Sequence, residues 1–200
     1  MKIIFFLVLL IISFTANAQI EYSQPKGYSI YKDFDDKPFR LDKDFNGDGI
    51  NDLAIVYTKN NSENENIVAV YFSTSSVKNN NYYYFPLSSN SYNLDFKNNV
   101  LSIGSCFGNG RFCKTLKFKF YSAIKNMRLI GYDEESFGNA VHEGAYLKSI
   151  NLLTNTYEIS GPKWKNKITK KTNFQILTLE TLDEKDLEYL ENVGNNYLVN

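Results

Sequence analysis

Residues 101–118 read LSIGSCFGNGRFCKTLKF, and this stretch predicts a β-hairpin together with its register. The central Asn109-Gly110 pair is typical of a two-residue type I′ turn, because both turn positions require a positive φ angle. Such a turn places Gly108 opposite Arg111. Counting outward gives three facing apolar pairs, which are Phe107 with Phe112, Ile103 with Leu116 and Leu101 with Phe118. All three fall on one side of the ribbon, as a hairpin with one buried face requires.

The same register places the only two cysteines, Cys106 and Cys113, opposite each other on the other side of the ribbon. A directly opposite hydrogen-bonded pair lies ~5.5 Å apart at Cα, within the range of a disulfide. We therefore predict a disulfide, which stabilises the fold by about 2–3 kcal/mol on the chain-entropy model. A nucleophilic cysteine needs a partner base. The single histidine, His142, is far along the chain, so a structural bond is favoured.

The rest of the chain continues the pattern of short strands separated by polar breaks. The apolar run at 53–57 predicts a central strand buried on both faces, with 67–72 as its antiparallel neighbour. Further strand candidates are residues 82–85, 92–96, 100–105, 114–121, 127–132, 145–153, 157–160 and 174–179. The sequence contains 15 Tyr and 15 Phe residues, which favour strands.

One helix is predicted near the C-terminus. Thr181 and Glu184 have the spacing of a capping box, and Gly194 suits a helix stop. Between them, Leu182, Leu187 and Leu190 form a short apolar stripe. The predicted fold class is therefore mainly β, with antiparallel sheets in a sandwich or open barrel-like arrangement and a short C-terminal helix.

The N-terminus has the pattern of a secretory signal peptide. Lys2 precedes an apolar run at 3–14, and Ala16-Asn17-Ala18 forms a small-x-small cleavage site. The run is shorter than the ~20 residues that a membrane span needs. We expect residues 1–18 to be removed, which leaves a single β-rich domain at 19–200 in the periplasm or outside the cell. No membrane span is expected after this removal.

The composition excludes some partners. Loss of Lys2 leaves 21 basic residues against 22 acidic ones, a net charge of −1. This balance does not favour binding to nucleic acid or to an anionic membrane surface.

The stretch DFNGDGIND at 44–52 predicts a calcium loop. Calcium takes several carboxylate, amide and main-chain oxygen ligands. The first, third, fifth and ninth positions supply side-chain oxygens and the seventh supplies its main-chain carbonyl, which gives Asp44, Asn46, Asp48, Asp52 and Ile50 as the predicted ligands. Gly49 at the sixth position allows a sharp turn. An ordinary polar turn is the alternative, because Asp, Asn and Gly are also common in turns.

The loop resembles that of the FG-GAP and VCBS repeats of integrin-like propeller blades and exported bacterial proteins. An EF-hand is not matched, because Ile55 stands where an EF-hand has a bidentate glutamate, and a strand follows instead of a helix. The resemblance implies calcium binding and export. It does not imply a propeller, which needs at least ~4 blades of four strands.

The other polar clusters leave the function open. Asp133, Glu134 and Glu135, with Glu143, are either a paired-carboxylate hydrolase site or a solvated loop. The tyrosines at 82–84 are either an exposed platform or an ordinary strand, and the basic run at 165–171 is a solvated loop or a lysine-protected edge strand. The preferred hypothesis is a calcium-stabilised binding module for a protein or carbohydrate partner. A small secreted hydrolase and a protective partner of a secreted toxin are the alternatives.

Overall fold

The computed structural model describes residue 22 and residues 24–33, 35–62, 65–73, 85–87, 91–108 and 110–198, with the main chain alone at 85–87. The predicted signal peptide (1–18), the turn residue Asn109 and the tyrosines at 82–84 lie outside the described residues.

The described chain is built from antiparallel strands, followed by one α-helix and a 3-10 helix. The elements are β1 (Tyr28–Ile30), β2 (Arg40–Lys43), β3 (Asp52–Lys59), β4 (Asn66–Tyr71), β5 (Phe85–Leu87), β6 (Ser91–Lys97), β7 (Val100–Phe107), β8 (Phe112–Tyr121), β9 (Asn126–Phe137), β10 (Ala145–Asn151), β11 (Thr156–Ser160), β12 (Ile168–Lys171), α1 (Glu184–Asn192) and a 3-10 helix (Asn195–Tyr197). The predicted fold class, mainly β with antiparallel sheets and a short C-terminal helix, is confirmed.

The first sheet is organised around β3. Its order is β1-β3-β4-β5, and β2 also pairs with β3. Residues 52–57 are fully buried, which confirms the predicted central strand, and β4 is its predicted antiparallel neighbour. The burial of both faces follows from alternation, because Ala54 and Val56 join the main core while Leu53 and Ile55 join a second cluster on the opposite face.

The second sheet is a meander in which β6 to β12 pair in sequence order. Its β7–β8 hairpin has the register that the turn predicted, because Phe107 faces Phe112 and Ile103 faces Leu116. Cys106 faces Cys113, and their sulfur atoms lie 2.12 Å apart, so the predicted disulfide pairing is confirmed.

One core joins the two sheets. It contains Val56 and Val70 from the first sheet, Phe118 and Leu129 from the second, and Leu190 from α1. In the part of the chain that the structure describes, neither sheet closes into a barrel. The arrangement is therefore a sandwich of two open sheets with the helix against its core.

The segment at 174–179 is not a regular strand, so that prediction is wrong. It makes one isolated bridge, between Thr178 and Arg128, and Leu177 and Leu179 exchange main-chain hydrogen bonds with β9 at 2.9 and 3.0 Å. These bonds occupy an edge of β9 that β10 does not reach, because β10 ends opposite Gly131.

The helix forms where predicted, but the predicted capping residues are wrong. Asp183 is the N-cap, and it forms the capping box with Asp186 in place of Thr181 and Glu184. Leu182 and Leu187 then occupy the staple positions on either side of the cap, and both pack against the main core. Gly194 follows the helix at φ 76°, as the stop signal predicted.

The basic run at 165–171 contributes the edge strand β12. Lys170 and Lys171 are exposed on it. The alternative of an edge strand protected by lysine is therefore the correct one for this segment, because charged side chains block pairing with a further strand.

Candidate functional site

The DFNGDGIND loop connects β2 with β3 and wraps around the Asp44 carboxylate. One oxygen of Asp44 accepts hydrogen bonds from the amides of Gly47 (2.6 Å) and Asp48 (3.1 Å). The other accepts from the amide of Gly49 at 2.8 Å. The wrapping requires positive φ angles at Gly47 (81°) and Gly49 (87°), which glycine adopts without steric cost.

The next two predicted ligands, Asn46 and Asp48, continue the same turn. The Asn46 side-chain oxygen accepts from the Asp48 amide at 2.9 Å, and the Asp48 carboxylate accepts from the Ile50 amide at 2.9 Å. The Asn46 amide group also donates to Asp48 at 2.9 Å. Asp44, Asn46 and Asp48 therefore lie together in one tight turn of linked side-chain and main-chain groups.

Asp52 lies at the base of the loop and is fully buried. Its carboxylate accepts from the Phe45 amide (2.9 Å) and from the amide and hydroxyl of Ser73 (3.0 and 3.1 Å). Burial raises the pKa of Asp52 to about 6, and repulsion from Asp48 adds to this effect. Asp52 thus joins the loop to the start of β3 and to Ser73, two residues beyond the end of β4.

The chemistry of this donor set fits calcium. Three carboxylates, one amide oxygen and the Ile50 carbonyl are hard oxygen donors of the type that calcium takes. A cavity of about 170 Å³ adjoins Asp44 and Asn46 and is also lined by Asn99 and Lys119. Within the described ranges, no three or more His, Cys, Asp or Glu side chains are grouped as a metal site. Asp44, Asn46 and Asp48 lie in the turn, whereas Asp52 lies at the buried base of the loop.

The acidic run at 133–135 lies in β9 and not in a solvated loop. Neighbouring residues of a strand face opposite sides. Asp133 pairs with Lys117 and accepts from the Ser149 hydroxyl at 2.7 Å, whereas Glu134 is buried with 4% of its surface exposed. Glu143 is exposed in the loop after β9, where the Asn139 side chain donates to it at 3.0 Å. The structure thus separates Glu134 from Asp133 and Glu135, its neighbours in the sequence.

A buried charged network around Lys148 was missed by the sequence analysis. Lys148 has no exposed surface, and its amino group lies 3.1 Å from the Glu134 carboxylate. It also donates to the main-chain oxygen of Glu191 at 2.6 Å. The hydroxyls of Tyr132 and Tyr146 donate to Glu134. The available signal was alternation, because Lys148 stands between Tyr146 and Ile150 on the same strand face.

Lys148 also caps the helix from outside it. The last turn of α1 contains no basic residue, although cations stabilise a helix C-terminus. Lys148 supplies that charge from β10 through its bond to Glu191. Beside it, Lys114 of β8 pairs with the Glu191 side chain. Two strands therefore hold the end of the helix against the sheet through charged groups.

No family model matches the chain, and neither the curated proteins nor the solved structures contain a match. None of the helices in the described part of the chain has both the length and the apolar character to cross a membrane.

The tyrosines of this network should make the stability of the protein sensitive to alkaline pH. Burial, together with the negative Glu134, raises the pKa of Tyr132 and Tyr146 above the ordinary value of 10.0. A group whose pKa is raised by folding contributes stability that is complete below its unfolded pKa and is lost above it. We expect the free energy of unfolding to fall above about pH 10, by about 1.4 kcal/mol per pH unit for each such tyrosine.

Urea unfolding across this pH range tests the expectation with Tyr132→Phe, which should show a shallower loss. Tyr189→Phe is the matched control, because Tyr189 is 44% exposed. Equal slopes in the wild type and Tyr132→Phe would exclude Tyr132 as a source of the pH dependence.

Proposed function

We propose that this protein is an exported, calcium-stabilised β domain that acts as a binding module, with the ion in a structural role. The observation that carries the proposal is the position of the loop. Its last predicted ligand, Asp52, is the first residue of β3, the strand that pairs with β1, β2 and β4. An ion bound at this point would order the central strand of the first sheet.

A bound cation is expected to stabilise the loop by reducing the repulsion between its carboxylates. The loop places Asp48 close enough to Asp52, at the start of β3, for their repulsion to be part of what raises the pKa of Asp52. A divalent cation would reduce this repulsion and favour the ionised form of both groups. Asp44, Asn46, Asp48 and Asp52 would hold the ion with the Ile50 carbonyl.

The proposed export of the protein and the proposed calcium site are consistent with each other. The N-terminal pattern is typical of a signal peptide, and the Cys106–Cys113 pairing suits an oxidising compartment. Calcium modules of the cell exterior have dissociation constants of ~10⁻⁴–10⁻³ M. Such an affinity is sufficient only where calcium is abundant, as it is outside the cytosol.

Calcium should raise the melting temperature of the mature protein, residues 19–200. Calcium at about a hundred times its dissociation constant stabilises a single site by about 2.7 kcal/mol, which is a rise of roughly 5–11 °C for a domain of this size. Asp48→Ala should abolish the rise. The measurement is thermal unfolding with calcium and then with chelator.

Two controls separate a specific site from a general ionic effect. Asp35→Ala removes an exposed acid from a different turn and should leave the calcium response intact. Magnesium should produce a smaller rise, because it loses its bound water reluctantly. Identical melting curves with calcium and with chelator would show that the DFNGDGIND loop is only a polar turn. That result would overturn the proposal.

A further inference from the structure

A cavity with an aromatic wall lies far along the chain from the DFNGDGIND loop, at the end of the second sheet. It has a volume of about 530 Å³ and is formed by the loop between β9 and β10 and the loop after β11. Trp164, Tyr146 and Leu198 supply its apolar surface, while His142, Glu143 and Lys163 supply polar groups. This combination and size are typical of pockets for small ligands.

Hydrogen bonds hold the first loop of the pocket in place. The Asn139 side-chain oxygen accepts from the amides of Val141 and Glu143 at 3.0 and 2.9 Å. The Asn139 side chain also donates to the Glu143 carboxylate at 3.0 Å, and Ser136 donates to the Gly144 carbonyl at 3.1 Å. Glu143 is therefore positioned before any ligand arrives, which lowers the entropic cost of binding.

The second loop packs directly on the first. A methyl group at Gly161 would lie 2.5 Å from the Ala145 carbonyl oxygen and 3.0 Å from Cζ3 of Trp164. The absence of a side chain at Gly161 thus lets the two loops meet and sets the position of the indole ring. The side chain of Tyr146 is held in place because its hydroxyl donates a hydrogen bond to the buried Glu134.

We propose that this pocket binds the neutral ring of a saccharide, with Trp164 against the apolar face of the ring and Glu143 accepting from its hydroxyl groups. The charges of Glu143 and Lys163 are equal and opposite, so these two groups do not favour a charged ligand. A pocket with an aromatic wall and with charged groups that cancel suits a ligand whose ring has an apolar face and hydroxyl groups at its edge. The inference deepens the proposed function, because it names the class of ligand that the binding module takes.

The sole tryptophan of the chain makes the test direct. Maltohexaose, cellohexaose and chitohexaose are titrated into the mature protein while Trp164 fluorescence is recorded, and calorimetry gives the affinities. At least one oligosaccharide should produce a saturable change. Trp164→Ala should weaken that binding about tenfold or more, as loss of a central aromatic contact does, whereas Trp164→Phe should retain most of it.

Two further variants, melting curves and a peptide probe test the specificity of this binding. Glu143→Gln conserves the shape of the side chain and should weaken binding several-fold, while Lys171→Ala, exposed on the edge strand, should not change it. Melting curves of each variant show that it is folded. Hexaproline serves as a peptide probe. A response to hexaproline alone, no response to any oligosaccharide, or equal binding by Trp164→Ala would overturn the inference.

The two proposals fail separately. A calcium-dependent melting temperature without any saccharide response would overturn this inference and leave the calcium-stabilised domain standing. A saccharide response that depends on Trp164, in a protein that calcium does not stabilise, would support the pocket and overturn the calcium loop.

Discussion

Replacing Lys148 with methionine is expected to lower the free energy of unfolding by about 3–5 kcal/mol, the usual cost of removing one partner from a buried ion pair. Methionine retains the apolar stem of the side chain but removes the charge. Glu134 would remain buried, with only the tyrosine hydroxyls to stabilise its negative charge. The main-chain carbonyl of Glu191, in the last turn of α1, would lose its bond from Lys148 as well.

The test is a urea titration of the wild type, Lys148→Met and the double variant Lys148→Met/Glu134→Gln. The double variant should recover much of the loss, because the neutral amide can accept from one tyrosine hydroxyl and donate to the other, and leaves no unpaired charge. Lys167→Met removes a lysine from an exposed pair with Glu158 and should leave the urea midpoint unchanged, since exposed ion pairs contribute little. Equal stability of Lys148→Met and the wild type would show that the buried pair does not hold the fold.

The helix should also loosen before the sheet does. In Lys148→Met, hydrogen exchange of the α1 amides should accelerate relative to the wild type by more than exchange of the β3 amides does. The reason is that the lost contacts lie at the helix end and not in the first sheet. A uniform acceleration across both elements would indicate global unfolding instead.

Replacing Gly194 with alanine is expected to destabilise the protein by about 2–5 kcal/mol. The residue follows α1 at φ 76°, a conformation that costs an L side chain about 1–2 kcal/mol. A methyl group there would also lie 2.7 Å from the Ile159 side chain and 2.9 Å from the Tyr157 ring. Insertion of an extra methyl into packed surroundings adds about 1–3 kcal/mol.

Gly27→Ala is the matched control for this prediction. Gly27 has a similar φ of 84°, but no atom lies within 4 Å of the position that its methyl group would take. Its urea midpoint should therefore report the conformational cost alone. A Gly194→Ala variant no less stable than Gly27→Ala would show that the approach of α1 to β11 tolerates the added methyl.

Local signals account for the parts of the fold that were predicted correctly. The β7–β8 register depends on a turn of two residues and on alternation, both of which are properties of adjacent residues. The same holds for β3, since an unbroken apolar run marks a strand that is buried on both faces. The N-cap was misplaced by two residues because Thr181 and Asp183 both have capping side chains, and the packing of Leu182 and Leu187 decides between them.

Features that depend on which segments pair in the folded chain could not be predicted from local sequence signals. β1 and β2 are only three and four residues long, and they are strands because β3 offers them a single edge that they share. The segment at 174–179 has an apolar strand pattern but only fills the part of β9 that β10 leaves open. Neither outcome is a property of the segment itself.

By itself, the sequence determined the antiparallel β character, the hairpin register with its disulfide pairing, and the composition of the DFNGDGIND loop, because each arises from residues close together in the chain. The tertiary structure alone decided that Glu134 would be a buried partner of Lys148 and not a solvated acid. It also brought Tyr146 of β10 and Trp164 of the loop after β11 to one pocket. Burial and long-range pairing depend on which strands become neighbours, and that is settled only when the whole core packs at once.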